Sequence, residues 1–305
     1  MQTSLVRRWA YLAMLILPLG FVACDEDDTP DVIQDDDTIT NNIGDASQFS
    51  TLDDLLDDAD LKGTLRDDDQ TFTVFAPNNA AFAAADLSGL SDDDVRDLLL
   101  YHVLVGTQIN AADIADGVTT IDNGYDAGPS GETTPLYVVN DADGIRVNMA
   151  TVISADNVAS NGVIHEVDAV IMPPNVVEIA QILPGFSSLV DAVVDADLVD
   201  DLSDDGPFTV FAPTDQAFMM TGSLPTGTRL VEILQGHVVR GNMLAGDLMD
   251  GMVVNTLAGS PLTIGVNGST VTVTDERGNT RTVVATDNQG TNGVVHAVDG
   301  VLLNN

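Results

Sequence analysis

A stretch that occurs twice constrains this chain more than any other feature. Thr71-Phe72-Thr73-Val74-Phe75-Ala76-Pro77-Asn78-Asn79-Ala80-Ala81-Phe82 returns as Phe208-Thr209-Val210-Phe211-Ala212-Pro213-Thr214-Asp215-Gln216-Ala217-Phe218. β-branched and aromatic residues crowd the first half of each copy, which predicts a buried strand. Pro77 and Pro213 lack an N–H and stop the ladder, and the Asn, Thr and Asp side chains behind them can cap a helix from Ala80 or Gln216. The repeated stretch is a strand-to-helix corner.

A second block is also doubled. Ser160-Asn161-Gly162-Val163-Ile164-His165-Glu166-Val167-Asp168 is matched by Thr291-Asn292-Gly293-Val294-Val295-His296-Ala297-Val298-Asp299. An Asn-Gly turn launches an alternating strand in each. Both blocks, in order and in two copies, resemble the fasciclin family over residues 44–303. The resemblance implies an α+β unit, a twisted β wedge or sandwich flanked by helices.

Helical spacing supports the repeat independently. Leu52, Leu55, Leu56 and Ala59 form an apolar stripe, as do Leu189, Ala192, Val193 and Ala196. Ser50 and Ser187 are the expected N-caps of these helices, with Phe49 and Phe186 as staples. Ser91-Asp92-Asp93-Asp94 caps a later helix whose stripe runs Val95, Leu98, Leu99, His102, repeated as Leu230, Ile233, Leu234, His237. Short alternating runs at residues 136–139, 145–147, 262–266 and 271–274 predict hairpins, with turns at residues 141–144, 267–268 and 276–279. Residues 123–131, present in the first unit alone, are expected to be an exposed loop free to vary specificity. Pro173-Pro174 closes the first unit, and so short a linker makes the pair compact.

The N-terminus carries Arg7-Arg8 and an apolar run over residues 9–23, too short for a membrane span and right for a signal peptide. Phe21-Val22-Ala23-Cys24 resembles a bacterial lipobox, which implies cleavage before the only cysteine and lipidation of Cys24. Asp25-Glu26-Asp27-Asp28 resembles the acidic export tag of some surface lipoproteins. The expected organisation is signal peptide 1–23, a flexible acidic tether 24–43 poor in large apolar residues, and domains 44–174 and 175–305. The chain is then expected outside the cytoplasm, at the outer membrane or cell surface.

The 305 residues carry a formal charge of −38, with 42 aspartates and one lysine, Lys62. Such a surface repels nucleic acid and anionic lipid. A lone cysteine excludes intrachain disulfides and thiolate metal sites. No cofactor is implied.

Three function classes meet these residues. Catalysis by a His165/Asp168 or His296/Asp299 dyad is opposed by strand geometry, since residues three apart face opposite ways. No Gly-x-Ser-x-Gly elbow or His-Glu-x-x-His spacing is present, and histidines on an apolar stripe fit hydrogen-bonded core positions. A hydrolase or metal-dependent enzyme is therefore the weakest reading. Adhesion is what the resemblance implies, since a Tyr-His pair and an Asp-Ile pair before the Asn-Gly block are associated with receptor contact in eukaryotic fasciclin proteins. Tyr101-His102 keeps the first pair, while Gly236-His237 lacks the tyrosine. Asp156-Asn157 and Asp287-Asn288 keep the acid and lose the isoleucine. These are the candidate binding residues, and they are equally readable as fold determinants. The partner is an unidentified protein or polysaccharide, and a structural or polysaccharide-binding envelope component is the alternative.

Overall fold

In the first unit the helices come early and the strands late. α1 (Ile39–Asp45), α2 (Ser50–Asp58) and α3 (Lys62–Leu65) precede β1 (Phe72–Pro77), followed by α4 (Asn79–Ala84), α5 (Asp92–Tyr101) and β2 (Val103–Val105). Then come β3 (Gly117–Ile121), β4 (Leu136–Asp141), β5 (Gly144–Val147), β6 (Ala150–Ala159) and β7 (Gly162–Val167). The second unit repeats the order with α6 (Val176–Ile182), α7 (Ser187–Asp195), α8 (Val199–Ser203), β8 (Phe208–Pro213), α9 (Asp215–Thr221), α10 (Thr228–Gln235) and β9 (Val238–Arg240). It closes with β10 (Val253–Asn255), β11 (Pro261–Asn267), β12 (Thr270–Thr274), β13 (Thr280–Gly290) and β14 (Gly293–Val298). This is a computed structural model, and it describes residues 37–204, 206–222 and 224–303. The expected signal peptide, Cys24 and residues 24–36 lie outside the described residues.

Each unit is a seven-stranded sheet, in the orders β2-β1-β7-β6-β5-β4-β3 and β10-β11-β12-β13-β14-β8-β9. The two repeated blocks lie side by side. β1 runs parallel to β7, pairing Phe72 with Gly162 through Pro77 with Val167, and β8 and β14 pair likewise. All six residues of β1 are buried because both faces of the strand are covered. Phe72, Val74 and Ile164 meet Ile39, Ile43, Leu52 and Leu56 on the helical side, whereas Phe75, Leu104, Val138 and Val147 fill the other. Burying one such side chain contributes about 1.5–3 kcal/mol.

Close approach explains the glycine of the second block. Gly162 has φ +154° and Gly293 +153°, and a Cβ on either would sit 2.1 Å from the carbonyl oxygen of Phe72 or Phe208. Only glycine lets β7 and β14 start against their parallel neighbours.

Three expectations change. The tether does not extend to residue 43, because Ile39 and Ile43 lie one helical turn apart in α1 and are fully buried, with Thr38 and Thr40 beside them. Two isoleucines in a polar stretch suffice for a helix that packs on a preformed core. Ser50 and Ser187 are not N-caps. Phe49 and Phe186 occupy those positions, and the first-turn N–H groups of Thr51 and Ser188 donate instead to Asn79 Oδ1 and Asp215 Oδ1 from the neighbouring helix, at 3.0 and 2.7 Å. Residues 123–131 are not a free loop. Asn123 donates to the Tyr101 carbonyl (2.9 Å), the Tyr125 ring lies 5.0 Å from the Tyr101 ring, and Gly128 abuts Gln289 of the second unit.

That contact belongs to an interface between the units. Tyr137 and Val139 are buried in the second unit's core with Val176, Ile179 and Ala180, and Tyr137 Oη donates to the Gln289 carbonyl at 2.8 Å. Thr291 N–H donates to the Pro174 carbonyl at 2.8 Å, so the linker is itself paired. The register places Thr263 and Gly265 where the first unit has Tyr137 and Val139. The interface uses a face of the first unit that has no apolar counterpart in the second.

Candidate functional site

The histidines of the two repeated motifs converge on backbone, not on one another. His102 terminates α5, and its position one turn after Leu98 sets Nδ1–H 2.7 Å from the Leu98 carbonyl while Nε2 accepts from Ile171 N–H at 2.8 Å. His237 does the same between Ile233 and Leu302, at 2.8 Å each. A carbonyl only accepts and an N–H only donates, so the partners fix one neutral tautomer. Burial pushes both imidazoles down from 6.5 to about 4.

His165 and His296 hold the opposite tautomer. Nε2–H of His165 donates to the Ile109 carbonyl (2.8 Å) and Nδ1 accepts from Asp156 N–H (3.3 Å). His296 bridges the Met243 carbonyl and Asp287 N–H at 2.8 and 3.2 Å. Burial, opposed by the Met243 hydrogen bond, pushes His296 below its ordinary value. Its Nδ1 also lies 4.0 Å from Asp287 Oδ1, but a neutral acceptor nitrogen makes no ion pair there. All eight ring nitrogens are thus occupied by main-chain groups.

Bulges in β6 and β13 place the aspartates. Asp156 and Asp287 take φ +59° and +60°, which turns each carboxylate back onto the chain. Asp156 Oδ1 accepts from Ala111 N–H at 2.8 Å and Asp287 Oδ1 from Ala245 N–H at 2.7 Å. Asn157 and Asn288 donate across the bulge to the Ile164 and Val295 carbonyls. Thr73 and Thr209, the buried threonines of the first block, complete the ring. Thr73 donates to the Thr107 carbonyl and accepts from Ile109 N–H, as Thr209 does with Gly241 and Met243. The sequence signal for that role was a polar residue repeated inside an otherwise apolar strand.

Of the candidate binding residues, Tyr101, His102 and His237 lie in the core, at 0, 2 and 2 % exposure, where they act as fold determinants. Tyr101 Oη donates to the Pro135 carbonyl and receives Asn148 Nδ2, beneath Tyr125. Asp156, Asn157 and Asp287 remain at the surface and Asn288 is half-buried, all four tied to the bulge. Asp168 and Asp299 turn to Thr151 and Thr282 N–H, away from the histidines. Among the described residues no cluster of His, Cys, Asp and Glu is arranged to hold a metal ion. Asn161 and Asn292, expected as turn formers, do more. Each accepts from the first N–H of α1 or α6 (3.0 Å) and donates to the Leu65 or Leu202 carbonyl.

Fold and site define a tandem α+β module, seven-stranded and helix-flanked, whose motif histidines bind its own backbone. Residues 47–173 and 184–304 match the Fasciclin domain family, and the chain belongs to it. Among curated relatives, Transforming growth factor-beta-induced protein ig-h3 of Sus scrofa is 27% identical over 76% of this chain, and Periostin of Homo sapiens is 27% identical over 87%. The chain spans about a third of either protein, 35% and 31%. Protein sll1483 of Synechocystis is 42% identical over 42% of this chain and 72% of its own length. A solved FAS1 domain pair from the insect cell adhesion molecule Fasciclin I matches 87% of this chain and 96% of that one at 18% identity, with a TM-score of 0.47. Fasciclin domains are known in adhesion proteins.

Proposed function

We propose that the chain is a non-catalytic interaction protein of the cell envelope, in which lipid on Cys24 supplies position and the two coupled fasciclin domains supply an adhesive surface for a protein or polysaccharide. One observation carries the non-catalytic part. Every histidine nitrogen is engaged by backbone in both units, so neither unit keeps an imidazole free to abstract a proton. Duplication of the family match supports the adhesive part, and the interface at Tyr137 makes the pair one body for a partner to meet. No helix among the described residues is long and apolar enough to cross a membrane, and the proposed attachment rests on the lipobox-like Phe21-Val22-Ala23-Cys24. Cys24→Ser is the test of position. The variant is expected in the soluble fraction, and a wild-type mature terminus other than acylated Cys24 would overturn the anchoring.

The alternative, a structural or polysaccharide-binding component, is favoured by an open groove of about 770 Å³ on the second unit. Asp201, Ser203, Gln235 and Arg240 line it together with Leu198 and Leu257, a set suited to hydroxyl-rich ligands. Binding of soluble protein to a glycan array, lost in Arg240→Ala, would favour this alternative over protein adhesion.

A further inference from the structure

The outermost strand of the first sheet presents an unpaired edge. β3 pairs only with β4 among the described residues, with Gly117 opposite Asn140 and Ile121 opposite Leu136. Tyr137 turns both of its backbone groups toward Asn148 on the far side of β4, its N–H donating to Asn148 Oδ1 at 2.9 Å and its C=O accepting from Asn148 N–H at 2.8 Å. Alternation in an antiparallel ladder then aims Leu136, Val138 and Asn140 at β3, and leaves the N–H and C=O of Val118 and Thr120 pointing outward. The corresponding edge strand of the second unit, β10, is three residues long against five for β3.

Edges of this kind are normally blunted by charge or proline, and Gly117-Val118-Thr119-Thr120-Ile121 contains neither. Charge appears instead at both ends, as exposed Asp116 and Asp122. We propose that β3 is a strand-addition site for an extended segment of a partner protein, with β-branched residues at its centre and lysine or arginine at both ends. Main-chain bonds to Val118 and Thr120 give the pairing, and the flanking carboxylates select the basic ends. A second copy of the chain fits less well. Two β3 strands paired antiparallel would set Asp116 of one beside Asp122 of the other, between molecules of charge −38.

The proposal rests on the reading of the chain as an interaction protein. Absence of any partner on cells would refute that reading, whereas the strand site is tested separately with a defined probe. The full chain is titrated into a fluorescent peptide with a Val-Thr-Val-Thr-Val core and paired lysines at each end, and amide exchange is followed by mass spectrometry. Saturable binding with slowed exchange at residues 117–121 is expected. Thr120→Pro removes an outward donor and spares the β4 ladder, and it should weaken binding by about tenfold or more. The double reversal Asp116→Lys, Asp122→Lys should transfer preference to an aspartate-flanked peptide. Equal binding of a lysine-flanked peptide with prolines in its core, unchanged binding to Thr120→Pro, or protection of residues 117–121 through self-association would each overturn the proposal.

Discussion

His102 and His237 make the fold sensitive to acid in a way that can be calculated. Each is neutral in the folded state, with its pKa lowered from 6.5 to about 4 by burial. Above pH 6.5 folded and unfolded chains bind the same number of protons at these positions, so stability is unaffected. Between 6.5 and 4 the unfolded chain takes up protons that the folded one refuses, and stability falls with pH. Below 4 both states are charged and the loss levels off. At ~1.4 kcal/mol per pH unit, each histidine removes roughly 2 kcal/mol by pH 5 and ~3 kcal/mol at the plateau. The assay is denaturant unfolding at fixed ionic strength from pH 7.5 to 5, above the carboxylate range. His102→Gln, an uncharged amide that can both donate and accept, should unfold more easily at neutral pH yet lose His102's share of the pH slope, leaving the shares of His237 and His296. An unchanged slope in the variant, or His102 titrating near 6.5 by NMR, would refute the reasoning.

Other consequences follow from single contacts. Gly162→Ala should cost roughly 3 kcal/mol or more, since its Cβ would overlap the Phe72 carbonyl and no side chain can move aside; wild-type melting behaviour would contradict it. Tyr137→Ala should cost ~3 kcal/mol and split thermal unfolding into two calorimetric transitions, whereas a single unshifted transition would show that Tyr137 is not what couples the units. Stability should rise with NaCl, because screening shortens from ~10 Å at 0.1 M to ~3 Å at 1 M, and Ca²⁺ should add nothing at equal ionic strength. A flat NaCl series would count against self-repulsion.

Much of the architecture was legible because it was written twice. The repeated Phe-Thr-Val-Phe-Ala-Pro and Asn-Gly blocks located the two central strands, and the helix stripes ending in His102 and His237 located the core. What propensity could not supply was that those blocks pair parallel to each other, since nothing local in either strand names its neighbour. The ring linking Thr73, His165 and Asp156 was hidden for the same reason, being assembled from residues far apart in the chain. α1 was missed because Ile39 and Ile43 are too few to mark a helix, although Asn161 waits to cap it. Tyr137 and Gln289 left no repeat signal, because an interface between two units falls on a different face of each. Loop 123–131 read as exposed from its glycines and polar residues, yet Tyr125 and Asn123 fold it over Tyr101.

Cross-linking on living cells tests the central claim most directly. Full-length protein would be treated with a membrane-impermeant cross-linker on intact and on outer-membrane-permeabilised cells, and its adducts identified by mass spectrometry. The account predicts reproducible adducts to an envelope protein or polysaccharide, lost when Cys24→Ser displaces the protein from the membrane. Protein that stays unlabelled under both conditions, or that is recovered free of any envelope partner, would contradict it.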